Sequence, residues 1–194
     1  MKRIIMLVVV ALVMAATLAA GSGAALAVTK QGGPGNDLIL GTEGPDDLGG
    51  GFGSDSVIGL GANDVLGGGL MGENDPAEKS PNRADRMIGG PGNDFMYGDL
   101  GADLILGGAG DDFLLDGEFR GGASDLMFGG PGNDVLYPRN DPAGSDLIMC
   151  GAGTDVAHVD RADVVVGCER VLYRFITSAE FAQYLAERGL QGRV

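Results

Sequence analysis

An aspartate recurs every nine residues along much of this chain, and that period limits the fold more than any other feature. The hexapeptide GGPGND occurs at 32–37, 89–94 and 129–134, and further aspartates continue its register. Short-period repeats predict a solenoid, because each unit buries its apolar side only by stacking on its neighbours. The aspartates that share the register are Asp37, Asp46, Asp55, Asp64, Asp85, Asp94, Asp103, Asp112, Asp125, Asp134, Asp146 and Asp155.

A second register, of apolar residues, lies two positions after the aspartates. Segments 32–40, 50–58, 89–97, 107–115 and 129–137 match G-G-x-G-x-D-x-U-x in full, where U is apolar, and 41–49 and 59–67 are degenerate copies. Glycines permit a tight turn, and the last three positions form a strand whose middle side chain points inward. The predicted inward residues are Ile39, Leu48, Val57, Leu66, Met87, Met96, Ile105, Leu114, Met127, Leu136, Ile148 and Ala157.

Charge narrows the class of ligand. The chain contains 37 glycines and carries a net charge of −14. So negative a protein is not expected to bind the phosphate backbone of a nucleic acid, whereas multivalent cations are natural partners.

The nine-residue pattern resembles the hemolysin-type calcium-binding repeat of RTX proteins, over about residues 32–167. The resemblance implies an all-β parallel β-roll, a two-sheet solenoid with 18 residues per coil, that holds several Ca²⁺ ions between its turns. Aspartate oxygens and turn carbonyls would bind the ions, from Asp37, Asp46, Asp55, Asp64, Asp94, Asp103, Asp112, Asp125, Asp134, Asp146 and Asp155 and from Gly33, Gly35, Gly51, Gly53, Gly90, Gly92, Gly108, Gly110, Gly130 and Gly132. Asp85, which no glycine precedes, is left out of this set.

Stacked carboxylates repel one another unless a cation lies between them. We therefore expect calcium binding and folding to be one equilibrium, with a largely disordered chain in the absence of calcium. The alternative is that the aspartates only form turns by bonding their own backbone, which also fits the asparagines at position five: Asn36, Asn63, Asn93 and Asn133.

The N-terminal 27 residues differ from the rest. Lys2 and Arg3 precede the apolar run 4–20, and Ala25 to Ala27 has the A-x-A form of a cleavage site. This predicts a signal peptide at 1–27, a secreted chain from Val28 and no stable membrane span after cleavage. An uncut membrane anchor is the alternative.

The separation of Cys150 and Cys168 along the sequence equals one coil of the predicted roll. Stacking would bring their α-carbons within reach of a disulfide, and an exported chain meets oxidising conditions. We predict a disulfide, with two free buried thiols as the alternative.

Interruptions of the register contain polar or proline-bearing stretches at 73–82, 116–120 and 138–142. Because repeats alternate between the two flanks of a coil, we expect the second and third of these loops on one flank, together with the first if it spans a single repeat. Many outward positions are apolar, which suggests a partner, a second copy or a covering C-terminal segment, or reflects strand propensity alone. They are Leu38, Leu40, Phe95, Tyr97, Leu104, Leu106, Phe113, Leu115, Leu126, Phe128, Val135 and Tyr137.

The tail predicts a cap. Thr177 to Glu180 has the form of a capping box, Phe181, Tyr184 and Leu185 share a face, and Gly189 would end the helix. We expect domains at 1–27 (signal peptide), 28–168 (β-roll) and 169–194 (cap), with the helix over the last coil. An uncleaved C-terminal export signal is the alternative.

Signatures of catalysis are missing from the sequence. The single histidine, His158, excludes H-E-x-x-H, and neither G-x-S-x-G nor G-K-[ST] occurs. We predict no catalytic residues and place His158 on the surface. The predicted function is a secreted calcium-binding structural, adhesive or interaction module, with a protein or glycan partner at the cell surface. The alternative is a secreted β-solenoid hydrolase acting on polysaccharide.

Overall fold

The computed structural model describes residues 26–69, 84–117, 123–138, 144–173 and 178–187. Short strands fill most of this length, and one helix, α1, spans Ser178–Glu187. The strands are β1 (Thr29–Gln31), β2 (Leu38–Leu40), β3 (Asp47–Gly49), β4 (Ser56–Ile58), β5 (Val65–Gly67), β6 (Arg86–Pro91), β7 (Phe95–Tyr97), β8 (Leu104–Ala109), β9 (Phe113–Leu115), β10 (Leu126–Pro131), β11 (Val135–Tyr137), β12 (Leu147–Ala152), β13 (Val156–His158), β14 (Val164–Val166) and β15 (Arg170–Leu172).

The strands form two parallel sheets. The odd sheet runs β1-β3-β5-β7-β9-β11-β13-β15, and the even sheet runs β14-β12-β10-β8-β6-β4-β2. Successive strands thus alternate between the sheets, and one coil contains one strand of each. Thr29 pairs with Asp47 and Leu38 with Ser56, which gives the expected coil of 18 residues. The predicted parallel β-roll is confirmed.

Longer connections widen three coils without changing the sheet order. They join β5 to β6, β9 to β10 and β11 to β12, and each leads from the odd sheet to the even sheet. The three therefore lie on one flank of the roll, as the alternation of repeats predicted. Most of the inserted residues, 70–83, 118–122 and 139–143, lie outside the described residues.

A single file of apolar side chains fills the space between the sheets. The predicted inward residues from Leu48 to Ala157 are all 0% exposed, and Ile39 in the first coil is partly buried against them. Full burial of a leucine or methionine side chain contributes roughly 1.5–3 kcal/mol. Each coil adds only two such side chains, so the core is thin and the turns must carry part of the stability.

The turns require backbone with positive φ at their second and fourth positions. Of the predicted turn glycines, Gly33 alone lacks a positive φ. Its N–H donates to Asp37 Oδ2 at 2.8 Å. In the degenerate turn at 59–64, Leu60 and Ala62 occupy the two positions, with φ of 90° and 65°. Side chains with a Cβ are strained there.

Glycine at position 62 is therefore expected to stabilise the fold. Ala62→Gly should raise the free energy of unfolding by about 0.5–1 kcal/mol, because relief of about 1–2 kcal/mol of left-handed strain outweighs the entropy that glycine adds to the unfolded chain. The control is Ala109→Gly, at the exposed last residue of β8 and outside the left-handed region, which should lose about 0.5–1 kcal/mol. Urea unfolding in saturating calcium measures both, and equal losses would contradict the strain.

Helix α1 is confirmed, but its described contacts differ from those expected of a cap. Its apolar face packs on the outer face of the odd sheet, where Tyr184 lies 4.2 Å from Phe113 between ring centroids and Phe181 lies 5.8 Å from it. Phe113 also stacks on Phe95 at 5.4 Å. The stacked aromatic rings offer the helix more apolar surface than the end of a sheet does, and the expected position over the last coil is corrected accordingly. Thr177 and Gly189 lie outside the described residues.

The outward apolar residues of the two sheets differ in what covers them. On the odd sheet, Tyr97, Leu115 and Val135 pack into the cluster with α1. On the even sheet, Leu38, Leu126, Met149, Val164 and Val166 remain 38–54% exposed.

The disulfide between Cys150 and Cys168 is confirmed, with 5.1 Å between the α-carbons. The last coil is slightly tighter than predicted, because Leu147 pairs with Val164 and Asp146 bonds Asp163, each 17 residues on. The disulfide therefore joins Cys150 to the residue next to its direct register partner. His158 is also corrected: it is only 6% exposed and makes an edge contact with Tyr137 at 5.7 Å.

Removal of the disulfide should loosen the last coil. Replacement of both cysteines by serine is expected to lower the free energy of unfolding by about 3 kcal/mol, the value for a closed loop of this length. Urea unfolding in calcium measures the loss, and wild-type protein kept under reductant is the matched control. A loss below about 1 kcal/mol would show that the disulfide constrains the unfolded chain little.

Candidate metal sites in the turns

The register aspartates form two ladders, one along each flank of the roll. Flank A holds the turns that precede even strands, and flank B holds those that precede odd strands. On both, the backbone N–H of one aspartate donates to Oδ1 of the aspartate in the next coil, at 2.6–3.2 Å. Flank A contains Asp37, Asp55, Asp85, Asp103, Asp125, Asp146 and Asp163, and flank B contains Asp46, Asp64, Asp94, Asp112, Asp134 and Asp155.

Three ladder carboxylates were missed or left out by the sequence analysis. Asp85 takes its place between Asp55 and Asp103 although no glycine precedes it. Asp163 accepts the N–H of Asp146 at 3.2 Å, and Glu169 accepts that of Asp155 at 2.7 Å. Val165, two residues after Asp163, repeats the aspartate-to-apolar spacing and was the available signal. Glu169 follows Asp155 by 14 residues, a spacing that does not match the repeat, so the sequence offered no signal for it.

Position five carries a second ladder with the opposite sense. Here the backbone N–H of the residue at position five donates to the side-chain Oδ1 of its counterpart in the preceding coil. Asn93 donates to Asn63 at 2.9 Å, and Asp111 donates to Asn93 at 2.8 Å. Asn133 continues the series, since its N–H donates to Asp111. These side chains therefore link coils, whereas the alternative interpretation had them bond their own turn.

Oxygen atoms crowd the first position of the turn. A Cβ built on Gly107 would lie 2.4 Å from Asp112 Oδ2 and 2.7 Å from the carbonyl oxygen of Gly129 in the next coil. Gly50 has the same surroundings, with Asp55 Oδ2 at 2.6 Å and the Gly68 carbonyl at 2.3 Å. Carboxylate and carbonyl oxygens thus converge beside a position without a side chain. Calcium selects hard oxygen ligands of this kind.

Burial makes ionisation of the ladder carboxylates unfavourable. Asp94 and Asp112 are 0–1% exposed, and the Oδ2 atom of each accepts no hydrogen bond. Burial raises the pKa of Asp94 to about 7 and that of Asp112 to about 8, although a backbone N–H opposes each shift. The charges of Asp94 and Asp134 raise the pKa of Asp112 further.

Flank A shows the same electrostatics near its end. Burial raises the pKa of Asp146 to about 7, and the charges of Asp125 and Asp163 contribute in the same direction. The pKa of Asp163 is also raised, mainly by burial. Such groups either bind protons or face a cation at neutral pH.

Stacked parallel turns with buried, aligned carboxylates define a metal-binding β-roll. In agreement, a scan against protein families matches the RTX calcium-binding nonapeptide repeat in four copies, at residues 31–66, 82–114 and 120–137. The chain belongs to this family. Its repeats bind Ca²⁺, and the number of aspartates is consistent with several ions.

Family membership also bears on the wider predictions. RTX repeats are generally structural, and the proteins that carry them are typically extracellular. Searches of curated proteins and of solved structures found no match. No helix within the described ranges is long and apolar enough to cross a bilayer, and the apolar run at 4–20 lies outside those ranges.

Proposed function

We propose that this protein is a secreted module that calcium folds, with ions held along both flanks by the ladder aspartates and turn carbonyls. The observation that carries the proposal is the burial of carboxylates such as Asp94, Asp112 and Asp155, whose Oδ2 atoms accept no hydrogen bond. Calcium between successive turns offsets their repulsion and ties the coils together. The ligands are the predicted aspartates with Asp85 and Asp163 added.

The proposed role is structural, adhesive or connecting, with a protein or glycan partner at the cell surface. Two features support a structural role over the alternative of a polysaccharide hydrolase. The ladder aspartates bond the backbone of the neighbouring coil, and the exposed apolar side chains of the even sheet offer a contact surface. We propose that the protein is not an enzyme.

Small-angle scattering of the purified protein tests calcium-driven folding. With calcium, the radius of gyration should approach the roughly 15–20 Å of a compact chain of this length, and after chelation it should rise toward roughly 40 Å. Magnesium at the same concentration is the control and should leave the chain expanded. A compact chain after complete chelation at pH 8 would contradict the proposal.

Export is tested separately, in cells that make the protein. Intact mass of the protein from the culture medium should correspond to a chain that begins at Val28. A protein retained in the cells with its N-terminal segment would support the membrane anchor and leave calcium-dependent folding untouched.

A further inference from the structure

Most coils have glycine at the first position of the turn, but the turn that leads to β10 has Asp116 there. The stacking shows the equivalence: a Cβ on Gly98 would lie 3.0 Å from the Asp116 carbonyl oxygen, as a Cβ on Gly107 would lie 2.7 Å from that of Gly129. Asp116 falls in the gap between matched family segments 82–114 and 120–137. It is therefore a feature of this chain and not of the repeat.

The backbone of Asp116 is fixed by both neighbouring coils. Its N–H donates to the Tyr137 carbonyl at 3.2 Å, and its own carbonyl accepts the N–H of Asp99 at 2.7 Å. The residue is 0% exposed. A carboxylate at this position is therefore held inside flank A, where most turns have only the hydrogen of a glycine.

Two ladder aspartates lie beside it. Asp103, Asp116 and Asp125 each provide one carboxylate oxygen, and the three oxygens lie within 4.8 Å of one another. All three residues are at most 2% exposed. Three negative charges at this range and burial oppose folding strongly unless a cation lies among them.

The space beside these oxygens has the features of the regular sites. A Cβ on Gly98 would lie 2.6 Å from Asp103 Oδ2 as well as close to the Asp116 carbonyl. A carboxylate and a carbonyl oxygen therefore converge on a position without a side chain, as they do in the turns at Gly50 and Gly107. The additional carboxylate of Asp116 raises the negative charge of this donor set above that of those turns.

We propose that Asp103, Asp116 and Asp125 together bind one calcium ion more tightly than the regular turns do. Calcium affinity rises with the number of charged ligands and with the rigidity of the site, and this site has both. Its ion should bind first as calcium increases and should hold together the coils that contain Asp103 and Asp125. The inference rests on the proposed calcium binding of the repeats and adds a ligand that they lack.

Calcium binding to the purified full chain tests the inference, by titration against a chromophoric chelator. Asp116→Asn keeps the size and an oxygen but removes the charge, and it should raise the dissociation constant of the first ion by on the order of tenfold or more. Asp116→Gly restores the repeat glycine and should weaken binding of the first ion to the same extent. This second variant keeps the test available if the asparagine variant does not fold. Circular dichroism in saturating calcium confirms that each variant is folded.

The matched control is Asp111→Asn, at position five of a flank B turn. Its Oδ1 accepts the Asn133 N–H, and asparagine keeps that acceptor. The first ion should bind this variant as it binds the wild type. If folded Asp116 variants bind the first ion unchanged while the wild type binds several ions, this inference fails and the proposed function stands. If the wild type binds no calcium, both fail.

Discussion

Gly110→Ala is expected to destabilise the protein severely, by more than about 4 kcal/mol. A Cβ there would lie 1.9 Å from the carbonyl oxygen of Gly92 in the preceding coil, and the backbone has φ of +133°. Backbone strain of about 1–3 kcal/mol adds to a clash that neither coil can relieve without separating the stacked turns. Urea unfolding in saturating calcium measures the loss, and the calcium midpoint for folding should rise with it.

Gly35→Ala separates the two causes. Gly35 also has positive φ, of +113°, but no atom lies within 4 Å of the Cβ position. Only the strain should appear, with a loss of about 1–3 kcal/mol. Equal losses in the two variants would show that close stacking of the turns contributes nothing to stability. That result would contradict the packing described for the β-roll.

Metal-free protein is expected to fold at pH 5 and to unfold at pH 8. Asp94, Asp112 and Asp146 have pKa values of about 7, 8 and 7 in the fold, against 3.8 in the ordinary state. Because the folded values are raised, the stabilisation from protonation is complete below 3.8 and is lost as pH rises through 7 to 8. Protons thus neutralise at pH 5 the carboxylates that calcium neutralises at pH 8.

Far-UV circular dichroism of metal-stripped protein across this range measures the effect. Asp112→Asn is the informative variant, because it removes one of the buried charges that destabilise the metal-free fold. It should retain more folded signal than the wild type at pH 8 without metal, and it should bind calcium more weakly. A wild-type signal that is the same at both pH values would contradict the role of the carboxylates.

Sequence predicted the repeating part of the structure well, because a nine-residue period determines both the inward residues and the turn. The row from Leu48 to Ala157 follows from the period alone, and the coil length brought Cys150 and Cys168 close enough to predict their disulfide, although the last coil is one residue shorter than expected. What the period could not predict was anything outside it. Leu60 and Ala62 adopt glycine-like backbone because neighbouring turns impose it, which no local propensity reveals.

In the site and the helix, too, the features that the repeat period does not set could not be predicted. Asp163 and Glu169 extend the ladders at spacings of 17 and 14 residues, where the coils shorten. Asp116 was assigned to an insertion, and only the stacking on Gly98 shows that it occupies a turn position. Helix α1 was predicted from its own pattern, but its docking on Phe113 depends on side chains that become neighbours only in the folded sheet.

A calcium titration followed by far-UV circular dichroism tests the central claim most directly. From a chelated start at pH 8, the β signal should appear cooperatively at about 10⁻⁴–10⁻³ M calcium, the range of extracellular modules. Magnesium should produce little of it, because the turns offer several flexible oxygen ligands and not a small octahedral site. A protein already folded in chelator at pH 8, with a signal that calcium does not change, would contradict the coupling of calcium binding to folding.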